Sequence, residues 1–196
     1  MEIVPLREDQ LVEASEVLAR AFHTDPAWLW LIPNERRRAA VLPWLFRVGF
    51  EISAGDVWTT AGPVLGCARW LPPGRPPMRV GVALRAFFAT PLRMREATSR
   101  FFAYGRALED MRTEAAGGAH WYLAGLGVDP SQQRRGVGSA LLGPGIEGAA
   151  SEGLPAVLLT NDERNLSFYS RHGFEVVLEG DKPPGGPHAW ALVRKP

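Results

Sequence analysis

The segment DPSQQRRGVGSALL (129–142) has the composition of an anion site rather than of a simple chain reversal. Gly136 and Gly138 stand where the pattern predicts the first turn of a helix, directly after Arg134 and Arg135. A helix N-terminus offers roughly four N–H groups without intrahelical partners, together with a partial positive charge. Glycine lets an anion approach the backbone closely, and guanidinium groups suit phosphate oxygens. The segment therefore predicts a phosphate-binding loop.

Other interpretations of these glycines explain the sequence less well. A plain turn accounts for Gly136 but leaves Gln133, the paired arginines and Gly138 without a reason. No Gly-Lys-Ser/Thr follows, so the loop is not of the P-loop type. GPGIEG (143–148) matches the dinucleotide pattern GxGxxG, but it lies inside the predicted helix and its proline lacks an N–H. We therefore expect no dinucleotide site there.

The elements around this loop alternate between strand and helix. HWYLAGLGV (120–128) predicts a strand, 136–152 a helix, and VLLT (157–160) a second strand parallel to the first. FEVVLE (174–179) and HAWALV (188–193) follow a helix over 164–172 and predict antiparallel strands.

The first half of the chain predicts further elements of the same sheet. An edge strand, a helix capped by Asp9 and ended by HTDP, a helix opened by Pro33 and Asn34, and a hairpin turning at Ala61-Gly62 follow in order. A Pro-rich crossover (71–77) and a helical region (79–113) broken at Pro91 complete it. Together these elements predict an α/β fold in one domain, 1–196, with a mixed, mostly antiparallel sheet flanked by helices.

Composition narrows the class of protein. The 196 residues carry 22 basic and 21 acidic side chains, for a net charge of +1, so no global field favours nucleic acid or an anionic membrane. Arg36-Arg37-Arg38 is expected to be a solvated helix face. One cysteine, no long apolar run and no signal-like N-terminus predict a cytoplasmic protein without disulfides.

Two motifs resemble the GNAT superfamily of acyl-CoA-dependent N-acyltransferases. Gln133, Gly136 and Gly138 match its Gln/Arg-x-x-Gly-x-Gly/Ala signature after a strand, and NLSFYSRHGFEVV (165–177) is similar to its Phe-Tyr-x-x-x-Gly-Phe signature. RWLPPG (69–74) and AFHTDPAWLWLIP (21–33) extend the likeness towards the puromycin N-acetyltransferase-like subgroup.

The resemblance implies a fold and a cofactor. In this family the strand at 120–128 splays from its parallel neighbour and admits the pantetheine arm of acetyl-CoA. The N–H of Leu126 would face the acetyl carbonyl, Val128 would pair with pantetheine, and amides from Arg134 to Ser139 would hold the pyrophosphate. The implied cofactor-binding set is Leu126, Gly127, Val128, Gln133, Arg134, Arg135, Gly136, Val137, Gly138, Ser139, Asn165 and Tyr169.

The same resemblance gives Tyr169 the role of the acid that protonates the leaving thiolate, the alternative being a core tyrosine. The base stays open. Alternation along the strand places Tyr122 and His120 on the face of Leu126, but each could equally be structural, and Asp, Glu or a water relay could serve instead. The sequence departs from the family at Leu159, where relatives often carry Glu, and at Asn165, where many carry Ala. Cys67 is expected to be a buried apolar residue rather than an acyl carrier.

The acceptor side offers fewer signals. Trp28 and Trp30 suit a flat or apolar amine or fill a core, and Asp25 is a candidate carboxylate for an ammonium group. We predict acetyl transfer from acetyl-CoA to a primary amine of a small molecule, such as an aminonucleoside or antibiotic-like compound, in a direct ternary complex. The alternatives are a protein N-terminus or lysine as acceptor, and a non-catalytic CoA sensor. We expect no metal, no nucleic-acid or membrane partner, and a monomer or homodimer.

Overall fold

A computed structural model describes residues 1–52, 57–74 and 88–196 of the chain. Its centre is a seven-stranded sheet in the order β1-β2-β3-β4-β5-β7-β6, in which only the β4–β5 pair is parallel. The mixed, mostly antiparallel α/β sheet expected from the sequence is thus confirmed. The strands are β1 (Ile3–Pro5), β2 (Val57–Thr60), β3 (Gly66–Leu71), β4 (Trp121–Val128), β5 (Ala156–Thr160), β6 (Glu175–Asp181) and β7 (His188–Arg194).

Helices cover both faces of this sheet. In chain order, the helices are α1 (Leu11–Ala21), α2 (Pro26–Leu31), α3 (Glu35–Ile52), α4 (88–94), α5 (Thr98–Ala116), α6 (Val137–Ser151) and α7 (Leu166–Ser170). One core lies between the sheet and α6, and it includes the fully buried Trp70, Leu141 and Leu158. A second core lies between the sheet and α1, around Val17, Leu18 and Phe50.

Several predicted boundaries move for identifiable reasons. Asp9 does not cap α1, because its carboxylate pairs with Arg7 and a short 3-10 turn leads into the helix. The predicted break at Pro91 is wrong, since 88–94 is helical through that residue and the interruption comes at Arg95, where φ is 48°. The predicted crossover over 71–77 and the helical region from 79 fall partly outside the described residues.

The GPGIEG segment lies inside α6, as expected, and its glycines serve packing. A Cβ atom on Gly145 would lie 2.0 Å from the indole of Trp70, and one on Gly148 would lie 2.6 Å from that of Trp121. These glycines let α6 approach two tryptophans of the sheet closely, which explains them without a nucleotide.

Strand β4 is paired differently on its two sides. It runs antiparallel to β3 from Tyr122 to Val128, with a bulge opposite Arg69 and Trp70. It pairs with β5 only from Trp121 to Leu123, opposite residues 156–158. Beyond Leu123 the two parallel strands therefore separate, and a gap opens at their carboxyl ends. Among the described residues, no helix combines the length and the apolar character needed to cross a membrane.

Candidate active site

The predicted phosphate loop leads from the end of β4 into α6. Arg134 and Gly136 both have left-handed backbone conformations, with φ of 61° and 81°, and Gly136 is the N-cap of the helix. At the start of the loop, the carboxylate of Asp129 accepts hydrogen bonds from the backbone N–H and the hydroxyl of Ser131, and it forms a 2.7 Å salt bridge with Arg20 of α1. These bonds fix the point at which the loop leaves the strand.

The backbone amides of this loop are available to a ligand. Within the described ranges, the N–H groups of residues 134–139 donate to no protein acceptor, and the first helical bond runs from Ala140 to the carbonyl of Gly136 at 3.0 Å. The side chains of Arg134, Arg135 and Ser139 are exposed beside them. Free amides, left-handed turns and two cations form a cradle for a phosphate group, so the loop fits the pyrophosphate of coenzyme A.

The gap between β4 and β5 meets this cradle. The N–H of Asp129 donates to the carbonyl of Leu65 on the β3 side, at 2.9 Å. Because N–H groups alternate in direction along a strand, those of Leu126 and Val128 point the other way, into the gap. At the end of β4, the side-chain amide of Gln133 donates to the carbonyl of Val128 at 3.3 Å.

The bulge in β4 overturns the alternation that placed Tyr122 and His120 on the face of Leu126. Leu123 lies opposite Trp70 and Gly125 lies opposite Arg69, so Ala124 is the extra residue. After an inserted residue the alternation of side chains is reversed. Trp121, Leu123, Leu126 and Val128 accordingly all pack on the α6 side of the sheet, and Tyr122 lies on the opposite face.

The structure also engages both nitrogens of His120. Its Nε2 lies 2.5 Å from Nη1 of Arg112, and its Nδ1 lies 2.7 Å from the carbonyl of Gly118. Arginine can only donate, so Nε2 is the acceptor and Nδ1 carries the proton. A histidine in this arrangement has no free lone pair for an acceptor amine.

Tyr122 is a poor base for a different reason. Burial raises the pKa of its phenol to about 12, although the guanidinium of Arg112, which lies 5.0 Å from the centre of the ring, opposes that rise. A phenol with that pKa holds its proton at neutral pH. The structure therefore favours a structural interpretation of both His120 and Tyr122.

Tyr169 is the fourth residue of α7, and the ring of the preceding Phe168 lies beside Gly138 of the loop. Tyr169 is 7% exposed, and its ring makes edge contacts with Phe168 and Phe174 at centroid distances of 5.1 and 6.0 Å. Burial raises the pKa of the phenol, and the charge of Asp25 raises it further. Its hydroxyl has no partner among the described residues, yet it is not one of the fully enclosed polar atoms, so it borders open space.

Asp25 caps α2 and lies close to the same region. Its Oδ1 accepts from the N–H of Ala27 at 2.9 Å and from that of Trp28 at 3.4 Å. Burial raises the pKa of Asp25 to about 6, against those two hydrogen bonds, which lower it. Burial raises the pKa of Tyr104, and the charge of Asp25 raises it further. The hydroxyl of Tyr104 donates to Oδ1 of Asn161, just after β5, at 2.5 Å.

Arg38 holds the segment that carries Asp25, a role that sequence reasoning missed. Instead of lying on a solvated face, it is 4% exposed. Its guanidinium donates to the carbonyls of His23, Ile32 and Pro33 at 2.7 to 3.2 Å. These bonds join the residues before α2 to those after it.

The remaining predicted residues all have contacts within the protein. Trp28 contacts Phe46 and Phe101, and Trp30 contacts Tyr104 with Arg100 above its ring, so both belong to an aromatic cluster between α2, α3 and α5. Asn165 bonds to Thr160 at the end of β5. Cys67 is fully buried, and burial raises the pKa of its thiol to about 12, which leaves it inert as a nucleophile.

Comparison with known proteins agrees with this geometry. Residues 84–174 match the model of the Acetyltransferase (GNAT) family. The fold is similar to that of a histone acetyltransferase HPA2-related acetyltransferase from Corynebacterium glutamicum, with 23% identity and a TM-score of 0.62 over 99% of this chain and 95% of that one. It is also similar, over the whole of both chains, to the Drosophila melanogaster polyamine N-acetyltransferase (11%, TM-score 0.60) and a mosquito arylalkylamine N-acetyltransferase-like protein (14%, TM-score 0.58).

The structural likenesses establish the fold, and the family match covers both the splayed strand and the loop. Residues 84–174 are therefore similar to the GNAT acetyltransferases, and the chain as a whole has the fold of the acetyltransferase structures named above.

Proposed function

We propose that the chain transfers the acetyl group of acetyl-CoA to a primary amine of a small molecule. The observation that carries this proposal is the junction of three features at one end of β4: the amides of 134–139, the gap beyond Leu123, and the hydroxyl of Tyr169. A phosphate cradle, an N–H aimed at a carbonyl and a proton donor are what direct acyl transfer to an amine needs.

The cofactor residues keep the roles inferred from the family resemblance. Amides from Arg134 to Ser139 hold the pyrophosphate, Val128 pairs with the pantetheine arm, and the N–H of Leu126 stabilises the developing oxyanion. One such preorganised donor is worth about 3 kcal/mol in the transition state. Tyr169 supplies the proton to the thiolate.

A small acceptor is supported by the site's surroundings and by the neighbours in fold. The aromatic cluster of Trp28, Phe46 and Phe101 suits an apolar or aromatic amine. Similar folds include enzymes named for polyamine and arylalkylamine acceptors. The resemblance of 21–33 and 69–74 to the puromycin N-acetyltransferase-like subgroup supports an aminonucleoside or antibiotic-like amine.

A thiol-release assay with acetyl-CoA tests the proposal. The panel holds an aminonucleoside, arylalkylamines, polyamines, and peptides with a free N-terminus or lysine. We expect turnover with small amines and little with peptides. Turnover with peptides alone would refute the acceptor class, and no turnover with any amine would refute the proposed function.

The roles of the loop residues need a separate binding measurement. Gly138→Glu places a carboxylate at the cradle, and Gly143→Glu places the same charge farther along α6, where the nearest atom to its Cβ is 3.9 Å away. We expect calorimetry to show CoA binding lost in the first variant and retained in the second. Equal binding by both would place the pyrophosphate elsewhere.

A further inference from the structure

The base of the reaction is the part of the site that the family resemblance leaves open, and the structure weakens both candidates from the sequence. His120 has both nitrogens engaged, and Tyr122 holds its proton far above neutral pH. The inference below rests on the proposed acetyl transfer to an amine and concerns the group that receives the amine's proton.

Asp25 has one carboxylate oxygen occupied and one available. Both cap bonds, from Ala27 and Trp28, end on Oδ1. Within residues 1–52, 57–74 and 88–196, no protein group bonds to Oδ2 and no cation forms a salt bridge with the carboxylate. The helix bonds therefore fix the orientation of the group while leaving an acceptor atom for an incoming ligand.

Packing places Asp25 beside the gap between β4 and β5. Just before it, at the end of α1, Ala21 and Phe22 lie so close to Gly127 of β4 that an added Cβ there would be 3.1 Å from each. Just after it, Trp30 of α2 contacts the ring of Tyr104, whose hydroxyl bonds to Asn161 just after β5.

Two tyrosines interact electrostatically with the carboxylate of Asp25: Tyr104 of α5 and Tyr169 of α7. Burial raises the pKa of both phenols, and the charge of Asp25 raises each of them further. The fold thus places the proposed acid and a lone carboxylate in one electrostatically coupled cluster.

The other charged groups facing Asp25 lie just beyond β5. Asp162 repels its negative charge and Arg164 attracts it, but these two are already paired with each other, with 2.6 Å between Nη2 and Oδ2. Asp162 is thus neutralised by its own partner and Asp25 is not. A cationic ligand entering the cluster finds Asp25 as the carboxylate without a counterion.

The chemistry of amide formation requires such a group. At neutral pH an aliphatic acceptor arrives as R–NH₃⁺, which cannot attack a carbonyl until it loses a proton. Desolvation makes Asp25 a stronger base than an ordinary aspartate, and it is still ionised at pH 7 because the pKa is about 6. An ordinary aspartate would be a far weaker proton acceptor.

We propose that Asp25 binds the ammonium group of the acceptor amine and is the base that accepts its first proton. The free amine then forms the C–N bond to the acetyl carbonyl carbon as the C–S bond breaks. The leaving sulfur takes the phenolic proton of Tyr169, and the resulting phenolate recovers a proton from the new amide nitrogen. One proton leaves Asp25 for solvent in each turnover.

Asp25→Asn tests this role with little change to the fold. The amide Oδ1 still accepts the N–H bonds of Ala27 and Trp28, because asparagine caps helices about as well as aspartate. Asp25→Ser is a second variant that also keeps a capping oxygen. Asp9→Asn is the matched control, since it makes the same change at an exposed carboxylate that pairs with Arg7.

The readout is kcat/KM against pH with an aliphatic amine that the panel assay identifies as an acceptor. We expect the wild-type profile to rise through pH 6 and then level off. In both Asp25 variants, kcat/KM should be about 100-fold lower than in the wild type at pH 7. It should then rise tenfold per pH unit up to the amine's own pKa, because the variants acetylate only the free amine. An acceptor with a weakly basic amine should restore the variants to near wild-type rates.

Each outcome bears on the inference. A uniform loss at every pH and with every amine would indicate a structural role for Asp25 and overturn the proposal. So would an unchanged profile in an active Asp25→Asn protein. If the wild-type chain turns over no amine, the proposed function fails as well, which is distinct from an active enzyme that ignores Asp25.

Discussion

Replacing Asp25 should make the protein more stable at neutral pH, and the size of that gain can be worked from its environment. Burial raises the pKa of Asp25 from 3.8 to about 6. At about 1.36 kcal/mol per pH unit, this displacement corresponds to about 3 kcal/mol between the protonated and ionised folded states. Solvent at the partly exposed side chain screens some of this energy, which leaves about 2 kcal/mol.

The sign follows from proton linkage. The folded state holds the Asp25 proton more tightly than the unfolded chain, so this residue contributes stability that is fully present below about pH 3.8 and is lost as the pH rises through about 6. Asparagine keeps the cap but does not ionise. The Asp25→Asn protein should therefore match the wild type near pH 4 and exceed it by about 2 kcal/mol at pH 8.

Urea unfolding of both proteins at several pH values measures this difference directly. For a chain of this size, about 2 kcal/mol corresponds to a rise of roughly 4–8 °C in Tm. The difference should grow between pH 4 and pH 7 and stay constant above that. A constant difference across the whole range, or a less stable variant at pH 8, would refute the claim that burial destabilises the ionised carboxylate of Asp25.

Three further predictions follow from packing and hydrogen bonds. Tyr169→Phe should lower kcat about 100-fold while calorimetry shows unchanged CoA binding, because only the proton donor is lost. Gly145→Ala should lower the free energy of unfolding by about 1–3 kcal/mol or more, since its Cβ would lie 2.0 Å from Trp70, whereas Gly105→Ala, with nothing within 4 Å, should raise it by about 0.5–1 kcal/mol. Arg38→Met should destabilise by about 3 kcal/mol in urea unfolding, because three carbonyls lose their donor.

These expectations can fail independently. Full activity in Tyr169→Phe would remove the tyrosine from proton transfer. Equal stability of the Gly145 and Gly105 variants would mean that α6 can move away from the sheet. An Arg38→Met protein as stable as the wild type would show that water replaces the guanidinium at those carbonyls.

The conformation of the proposed phosphate loop was predictable because its signal is local. Glycines, arginines and the start of a helix lie within seven residues, 133–139, and their chemistry depends on backbone conformation rather than on distant contacts. The left-handed Arg134 and Gly136 and the free amides agree with that prediction. The alternation of strands and helices likewise predicted the mixed sheet, because the spacing of apolar residues within each segment indicates its secondary structure.

The sequence-based predictions were wrong where contacts with residues far away along the chain determine the local structure. Regular alternation placed Tyr122 beside Leu126, but the bulge at Ala124 is imposed by pairing with β3 and reverses the faces. The run of three arginines predicted a solvated face, yet Arg38 is buried because three carbonyls of the segment 23–33 surround it. No pattern within either segment carries this information.

By itself, the sequence determined the class of fold and the position of the loop for which we propose anion binding, because each depends on residues that are neighbours in the chain. Tertiary structure alone decided which titratable groups share an environment. It brings Asp25 together with tyrosines that lie about 80 and 145 residues away along the chain, and it withdraws that carboxylate from water. Basicity depends on local hydration and nearby charge, and both are set by packing rather than by order along the chain.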